Sequence, residues 1–153
     1  MSRQPGVRPS SGFTFIELML VVTLIAVMVA IAMPYYRDLG NRVKNSDCTH
    51  DIVGLEARIE TYRITHATLP DTLAEMNLDM VDRWGRPYVF YNIEANGKGH
   101  ARKDHALNPL NTDYDLYSLG ADGVTQSQIT NKDSLDDIIR ATNGGYVGVA
   151  SGF

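Results

Sequence analysis

The chain has 153 residues, of which 44% are hydrophobic, and this length suits one modest domain rather than two. Its formal net charge of −4 comes with no block of basic residues, so the composition gives no indication of a nucleic-acid-binding surface. The single cysteine, Cys48, excludes an intramolecular disulfide in any redox compartment.

The first apolar run of the chain, residues 13–33, reads FTFIELMLVVTLIAVMVAIAM. In a helix, at about 1.5 Å per residue, such a run spans the ~30 Å hydrocarbon layer of a membrane. The polar segment before it carries Arg3 and Arg8, and positive charge on this side holds that end in the cytoplasm. A cleaved secretory signal has a shorter run and a small-residue cleavage site, which is missing here before Pro34. The run therefore predicts a transmembrane helix that sends the rest of the chain across the membrane.

One charged residue, Glu17, interrupts this apolar run. An unpaired carboxylate inside a bilayer costs about 2.5–3.5 kcal/mol on insertion scales, so such a residue is a functional-site hypothesis by default. A plain membrane anchor does not explain it.

The segment SGFTFIEL at residues 11–18, followed by the apolar run and by Pro34, resembles the prepilin peptidase site of type IV pilins and type II secretion pseudopilins. The resemblance implies that prepilin peptidase cuts between Gly12 and Phe13 and that the new Phe13 terminus is N-methylated. Residues 1–12 would then be a leader peptide, and the transmembrane helix would stay in the mature protein. Pro34 matches the proline that usually ends this segment in the family, where the helix bends or melts locally.

Cleavage would expose a cationic amine on Phe13, and a desolvated carboxylate requires a partner. We therefore expect Glu17 of one subunit to pair with the Phe13 amine of its neighbour and to set the axial register of a filament. Replacing Glu17 with alanine is expected to leave processing intact and to block assembly.

The helical pattern continues over residues 34–66 as an amphipathic extension of the first helix. Apolar residues recur there at spacings of three and four and predict a single apolar face formed by Ile52, Leu55, Ile59 and Tyr62. Leu39 and Val43 are predicted to be earlier members of the same face. The helix is expected to end near His66, because Leu69 and Pro70 follow.

Cys48, His50 and Asp51 lie close together in this helix and raise the question of a nucleophile or a metal site. Their spacing does not bring all three to one helix face, and no further ligand follows at a recognisable interval. They are predicted to form a solvated or filament-facing patch.

Residues 67–153 are predicted to form a globular α+β head. Turn-forming residues alternate there with short segments rich in aromatic and β-branched side chains, a pattern typical of strands. The predicted elements are a short helix or turn at 70–76, a turn from 82 leading into a strand at 88–93, a strand at 114–119, a turn at 120–123, and a turn and final strand at 144–150. A basic, glycine-containing segment at 97–105 matches no phosphate-binding pattern and is predicted to be a subunit contact or a solvated loop tip.

Two segments of the head carry a more specific resemblance. DRWGRPY, residues 82–88, is similar to the D-P-W-G-x-P-Y signature of G-type major pseudopilins, with Arg83 in place of the usual proline. YDLYSLGADG, residues 114–123, is similar to their Y-D-L-x-S-L-G-A-D-G segment. The resemblance implies a type IV pilin-like α+β fold, in which one long helix, transmembrane in its first half, packs on a small antiparallel sheet.

The acidic residues after this second segment raise the question of a Ca²⁺ site. Calcium takes six to eight oxygen ligands, including backbone carbonyls, so a loop that returns on itself can hold the ion without an EF-hand. An EF-hand register starting at Asn111 fails, because Leu116 occupies the position that requires glycine. The resemblance implies a Ca²⁺ ion bound by the side chains of Asp122, Asp136 and Asp137 and by the backbone oxygens of Leu119 and Val124.

Two alternatives to this ligand set stay open. The connection from Asp122 to Asp136 is longer than is usual in the family, and Asp133 is an alternative for one ligand. The aspartates are also explained by capping, with Ser134 as the N-cap and acidic residues in the first turn of a helix over residues 135–140.

The resemblance implies a structural subunit rather than an enzyme. Such a chain is anchored once in the bacterial inner membrane with its head in the periplasm, and it polymerises with minor pseudopilins on an inner-membrane assembly platform to drive protein export. The alternative is a type IV pilin for adhesion, motility or DNA uptake, although many such pilins carry a C-terminal disulfide that Cys48 alone cannot form. A membrane-tethered enzyme is disfavoured, because no nucleophile–base, metal-ligand or paired-carboxylate pattern supports it. The exported proteins, and whether the subunit is major or minor, are left open.

Overall fold

A computed structural model describes residues 12–153 of the chain. Of the predicted leader, all but Gly12 lies outside the described residues. The chain divides into two compact units, one ending at Leu39 and the other comprising Gly40–Phe153.

The observed elements confirm an α+β fold with one long N-terminal helix. The helices are α1 (Phe15–His66) and α2 (Ile93–Asn96), and 3₁₀ turns occur at Leu73–Met76, Lys98–His100, Lys132–Ser134, Thr142–Gly144 and Ala150–Gly152. The strands are β1 (Val89–Asn92), β2 (Tyr114–Ser118), β3 (Ile138–Ala141) and β4 (Tyr146–Val149).

The first unit contains the apolar beginning of α1. Thr14 and Glu17 cap this end reciprocally, since Thr14 Oγ1 accepts from the Glu17 amide at 3.3 Å and Glu17 Oε2 accepts from the Thr14 amide at 3.5 Å. The helix continues through Pro34, whose ring removes one backbone donor. Every large apolar side chain from Phe13 to Met33 is exposed, and α1 is long and apolar enough to cross a membrane. This length of apolar surface has to be covered by something other than water.

The second unit is built on a four-stranded antiparallel sheet in the order β1-β2-β3-β4. Neighbouring strands follow one another along the chain, so the sheet needs no crossover connection. The register sets Val89 opposite Tyr117, Tyr117 opposite Ile139, and Ile139 opposite Gly148. The predicted strands at 88–93, 114–119 and 144–150 are therefore confirmed to within two residues.

One face of the sheet packs on the second half of α1. Four side chains of α1 at helical spacing, Cys48, Ile52, Leu55 and Ile59, are buried in a core with Tyr114, Leu116 and Ile138 from the strands. The prediction that Cys48 belongs to a solvated or filament-facing patch was wrong, because its thiol lies inside this core while His50 remains exposed. Leu39 and Val43, predicted as earlier members of the same apolar face, are exposed within the chain.

The other face of the sheet is covered by two loops. Ile139 points away from α1, as the alternation of a strand requires, and packs with Leu110, Ile129, Ala141 and Ala150. The loops on either side of β2 pair through Lys103, whose amide donates to the Ser127 carbonyl at 2.8 Å and whose carbonyl accepts from the Ile129 amide at 3.0 Å. β3 is thereby buried on both faces, which explains its apolar residues Ile138, Ile139 and Ala141.

Candidate functional site

The predicted processing and assembly residues lie at the start of α1. Gly12, Phe13 and Glu17 are exposed, and no atom lies within 4 Å of a side chain added at Gly12. The described part of the chain gives Glu17 a hydrogen-bond partner only in Thr14, three residues earlier. Four earlier statements about this segment stay predictions: cleavage after Gly12, methylation of Phe13, the register role of Glu17 and a bend at Pro34.

The turn after β2 folds around one carboxylate. Asp136 Oδ2 accepts hydrogen bonds from the amides of Ala121 at 2.7 Å and Asp122 at 2.9 Å. Gly120 has φ +63°, and a Cβ at that position would collide with the backbone carbonyl of Asp136. Asp122 itself is exposed and accepts from the Val124 amide at 2.8 Å. The acidic residues of this turn therefore satisfy backbone donors rather than converging on one point.

Asp137 follows Asp136 directly but lies in a different environment. Its carboxylate is fully buried, and Oδ2 forms an ion pair with Nη2 of Arg102 at 2.7 Å. The same oxygen accepts from Oγ1 of Thr125 at 2.5 Å, whereas Oδ1 has no hydrogen-bond partner. Burial raises the pKa of Asp137, against the opposing effects of Thr125 and Arg102.

The predicted calcium ligands do not fit a Ca²⁺ ion in this arrangement. Asp137 is committed to Arg102 and Asp136 to two backbone amides, while the Leu119 carbonyl accepts from the Gly123 amide at 3.2 Å. Within residues 12–153, no group of three or more His, Cys, Asp or Glu side chains is placed to hold a metal. The calcium site stays a prediction to which we assign no role.

The structure tests the alternative in which the aspartates cap a helix over residues 135–140. Residues 138–141 form β3, so the predicted helix over 135–140 is wrong. A cap nevertheless exists one turn earlier, because Asn131 Oδ1 accepts from the amide of Asp133 at 3.1 Å and begins the 3₁₀ turn Lys132–Ser134. Ser134 is no N-cap but binds the preceding loop, accepting from the Gln126 amide at 2.8 Å and donating to the Gln126 carbonyl at 3.1 Å.

Arg102 lies in a different environment from the one predicted for it. The segment at 97–105 was predicted to be a contact surface or solvated tip, yet Arg102 is buried and its guanidinium lies 4.4 Å from the ring centroid of Tyr117. Its backbone amide donates to Oδ2 of Asp115 at 2.6 Å, and that carboxylate is buried too. The available signal was Asp115 itself, since a carboxylate inside a predicted strand requires a nearby donor.

A second buried arginine, Arg140, joins three parts of the head. It binds both carboxylate oxygens of Asp113 at 2.9 and 2.8 Å, and its Nε donates to Glu56 of α1 at 2.9 Å. The guanidinium stacks 4.0 Å from the ring centroid of Tyr114. Such a bidentate, stacked arrangement is specific to arginine and fixes the position of β3 relative to α1.

The two signature segments of the head are bonded to each other. Asp82 Oδ1 accepts from the amides of Trp84 and Arg86, both at 2.9 Å, and its Oδ2 accepts from Oγ of Ser118 at 2.6 Å. The Arg86 guanidinium donates to the carbonyl of Gly120. The turn at 82–88 and the segment at 114–123 are thus a single structural unit.

Arg83, which stands where the related signature has proline, contacts α1 instead. Its guanidinium pairs with Asp47 and with Asp51, each at 3.4 Å. Tyr88 reaches the same place and donates from its hydroxyl to Asp51 at 3.0 Å. The Arg83 side chain is 47% exposed, so each of its ion pairs contributes little by itself, whereas Tyr88 is buried.

Comparison with known proteins places these features among filament subunits. Residues 7–33 match the family model described as the prokaryotic N-terminal methylation motif. The chain is 27% identical over 138 residues to type II secretion system core protein G of Pseudomonas aeruginosa, covering 76% of this chain and 87% of that protein. It is 30% identical over 88 residues to competence protein ComGC of Halalkalibacterium halodurans, covering 58% of this chain and 79% of the relative.

A third relative matches over a shorter part of the chain. The major pilin protein PilE1 of Neisseria gonorrhoeae is 32% identical over 60 residues, which is 39% of this chain and 36% of that protein. No solved structure matches the chain significantly.

Proposed function

The chain belongs to the superfamily of type IV pilins and type II secretion pseudopilins, and on this premise we propose that it is a pseudopilin of a type II secretion system. The superfamily consists of structural subunits, so the chain is not an enzyme. In this proposal, prepilin peptidase removes the leader, and the subunits polymerise into a periplasmic filament that drives protein export.

The observation that carries the proposal is the apolar beginning of α1. Its side chains from Phe13 to Met33 are exposed within the chain and form one continuous apolar surface. A bilayer covers such a helix before assembly, and the same helices of neighbouring subunits cover it in a filament. A single helix of this kind at the N-terminus supports a subunit that is first anchored in the inner membrane and then extracted.

The head favours a secretion pseudopilin over a type IV pilin. Similarity to core protein G covers 87% of that protein, whereas similarity to PilE1 covers 60 residues, which is 36% of that protein. The bonded pair of segments at 82–88 and 114–123 is also the part of the head that resembles G-type pseudopilins. The similarity to ComGC keeps a competence filament as the second candidate.

The remaining features of the proposal concern orientation and partners. Arg3 and Arg8 before the apolar run support a cytoplasmic N-terminus and a periplasmic head. The partners are then prepilin peptidase, further copies of the chain, minor pseudopilins and the inner-membrane assembly platform. A filament inside the cell envelope requires no nucleic-acid contact.

Deletion of the gene tests the proposal. We expect specific proteins to disappear from the culture supernatant, while surface pili, twitching and transformation stay normal. An unchanged supernatant with loss of pili or twitching would replace the proposal with a type IV pilin. Loss of transformation alone would replace it with a competence subunit.

A further inference from the structure

We infer that the head folds without calcium because Arg102, a residue of the chain itself, supplies the positive charge that Asp137 requires. This inference goes beyond the proposed function, since it concerns how residues 40–153 are stabilised and holds for any kind of filament. It rests on the contacts of two arginines on either side of the turn at 119–123.

The ion pair between Arg102 and Asp137 is almost completely removed from solvent. The two side chains are 4% and 0% exposed, and the atoms Nη2 and Oδ2 lie 2.7 Å apart. Thr125 bridges the pair, since its Oγ1 donates to Asp137 and accepts from the Arg102 guanidinium. A buried carboxylate without a cation is strongly destabilising, so Arg102 meets the requirement that a metal would otherwise meet.

Arg102 is held in place by its backbone as well as by its side chain. Its amide donates to Asp115 at 2.6 Å, and its carbonyl accepts from the Leu110 amide at 2.8 Å. The guanidinium packs over the ring of Tyr117. Since these contacts bind Arg102 on three sides, it is a fixed part of the core and not a surface side chain that an incoming ion would displace.

A second guanidinium lies on the other side of the same turn. Arg86 donates to the carbonyl of Gly120, and a Cβ at Gly123 would collide with its Nη1. On the inner side, Asp136 already accepts from two amides of the turn. The Gly120 carbonyl and one oxygen of Asp136 are thus engaged by protein donors, and of the two Asp137 oxygens Oδ2 is engaged while Oδ1 has no partner.

The long connection between Asp122 and Asp136 closes over this pair. Thr125 contacts Asp137 from its beginning, Ser134 bonds back to Gln126 near its end, and Ile129 is buried between them. Thr125 of this connection contacts the ion pair directly, and Ile129 anchors the connection in the apolar cluster on the outer face of the sheet.

The test uses the full chain in detergent, with thermal unfolding followed by the fluorescence of Trp84, the only tryptophan. The wild-type midpoint is expected to be the same with chelator and with ~10 mM Ca²⁺, a concentration above the Kd of even weak extracellular sites. Arg102→Gln is expected to lower the midpoint by roughly 10 °C, because it leaves Asp137 buried and unpaired. Arg83→Gln is the matched control, since it removes an exposed arginine with carboxylate partners and is expected to change the midpoint little.

Two results would overturn the inference. One is a wild-type midpoint that rises by several degrees in calcium, as it would with an ion at about a hundred times its Kd. The other is an Arg102→Gln variant no less stable than Arg83→Gln. If Arg102→Gln does not fold, the double variant Arg102→Gln/Asp137→Asn decides: recovery of a folded head supports the charge pair, and failure to recover contradicts it.

Discussion

Arg140 on β3 and Glu56 on α1 are joined by a hydrogen-bonded ion pair of 2.9 Å, although 84 positions separate them in the chain. Because Arg140 also binds Asp113 through two nitrogens, one side chain holds the helix, the loop before β2 and the third strand together. Glycine at 144 leaves room for this contact, since a Cβ there would collide with Glu56.

Replacing Arg140 with methionine is expected to destabilise the head strongly. The change leaves Asp113 without its main partner at a buried site, a loss of about 3–5 kcal/mol for pairs of this kind. The control is Arg63→Met, which breaks the exposed ion pair with Glu94 and should alter stability by less than ~1 kcal/mol. Denaturant unfolding of both variants provides the comparison, and equal losses would show that burial of the Arg140 pair is irrelevant.

Alanine at Gly120 is expected to destabilise the turn around Asp136. The residue has φ +63°, a left-handed conformation that costs a non-glycine residue about 1–2 kcal/mol, and the added methyl would also meet the Asp136 backbone. Gly99→Ala is a suitable control because nothing lies within 4 Å of the added carbon and its φ is ordinary. Thermal midpoints that fall equally in the two variants would rule out a special role for Gly120.

Acid stability is expected to depend on Asp113. Burial opposes its ionisation, but hydrogen bonds from Arg140 and from the Tyr114 amide outweigh burial and lower the pKa of Asp113 below its ordinary value. A carboxylate with a lowered folded pKa stabilises the protein above its unfolded pKa of ~3.9 and loses this contribution as the pH falls further.

The measurement is the thermal midpoint as a function of pH. Asp113→Asn should be less stable than wild type at neutral pH and should lose less stability on acidification below pH ~4. Burial raises the pKa of Asp115 and Asp137, the opposite direction to the shift of Asp113, and both carboxylates are present in the variant and in the wild type alike. Parallel pH curves for variant and wild type would contradict the assignment to Asp113.

Charge at Glu17 is expected to be needed for assembly but not for processing. Glu17→Ala removes both the charge and the helix cap with Thr14, whereas Glu17→Gln keeps an oxygen for the cap and loses the charge. Mass spectrometry of the N-terminus should show normal cleavage in both variants, and cross-linking should show no filament in either. Assembly of Glu17→Gln alone would assign the residue a capping role instead.

The sequence predicted those elements that local chemistry determines. The strands at 88–93 and 114–119 were recognised because aromatic and β-branched residues lie between strong turn signals. The strand β3 was missed, since a short apolar pair after acidic residues fits a capped helix as well as a strand. Only pairing with its neighbours β2 and β4 decides between the two.

The environments of Cys48 and Arg102 were predicted wrongly for a different reason. Periodicity indicated an apolar face on α1 but not which side chains pack against it, so Cys48 was predicted outside the core. Arg102 stood among exposed basic residues, and only the fold brings it to Asp137, 35 positions later. Long-range ion pairs of this kind leave no periodic signal in a sequence.

The pair between Glu56 and Arg140 also has a consequence for the order of synthesis. The apolar face of α1 emerges from the ribosome early, but β3, which covers part of it, emerges about 80 residues later. Until β3 emerges, the apolar face of α1 is uncovered, and Glu56 and Asp113 lack the guanidinium of Arg140. The packing of α1 on the sheet is therefore expected only after β3 has emerged, so the second unit completes its fold late in synthesis.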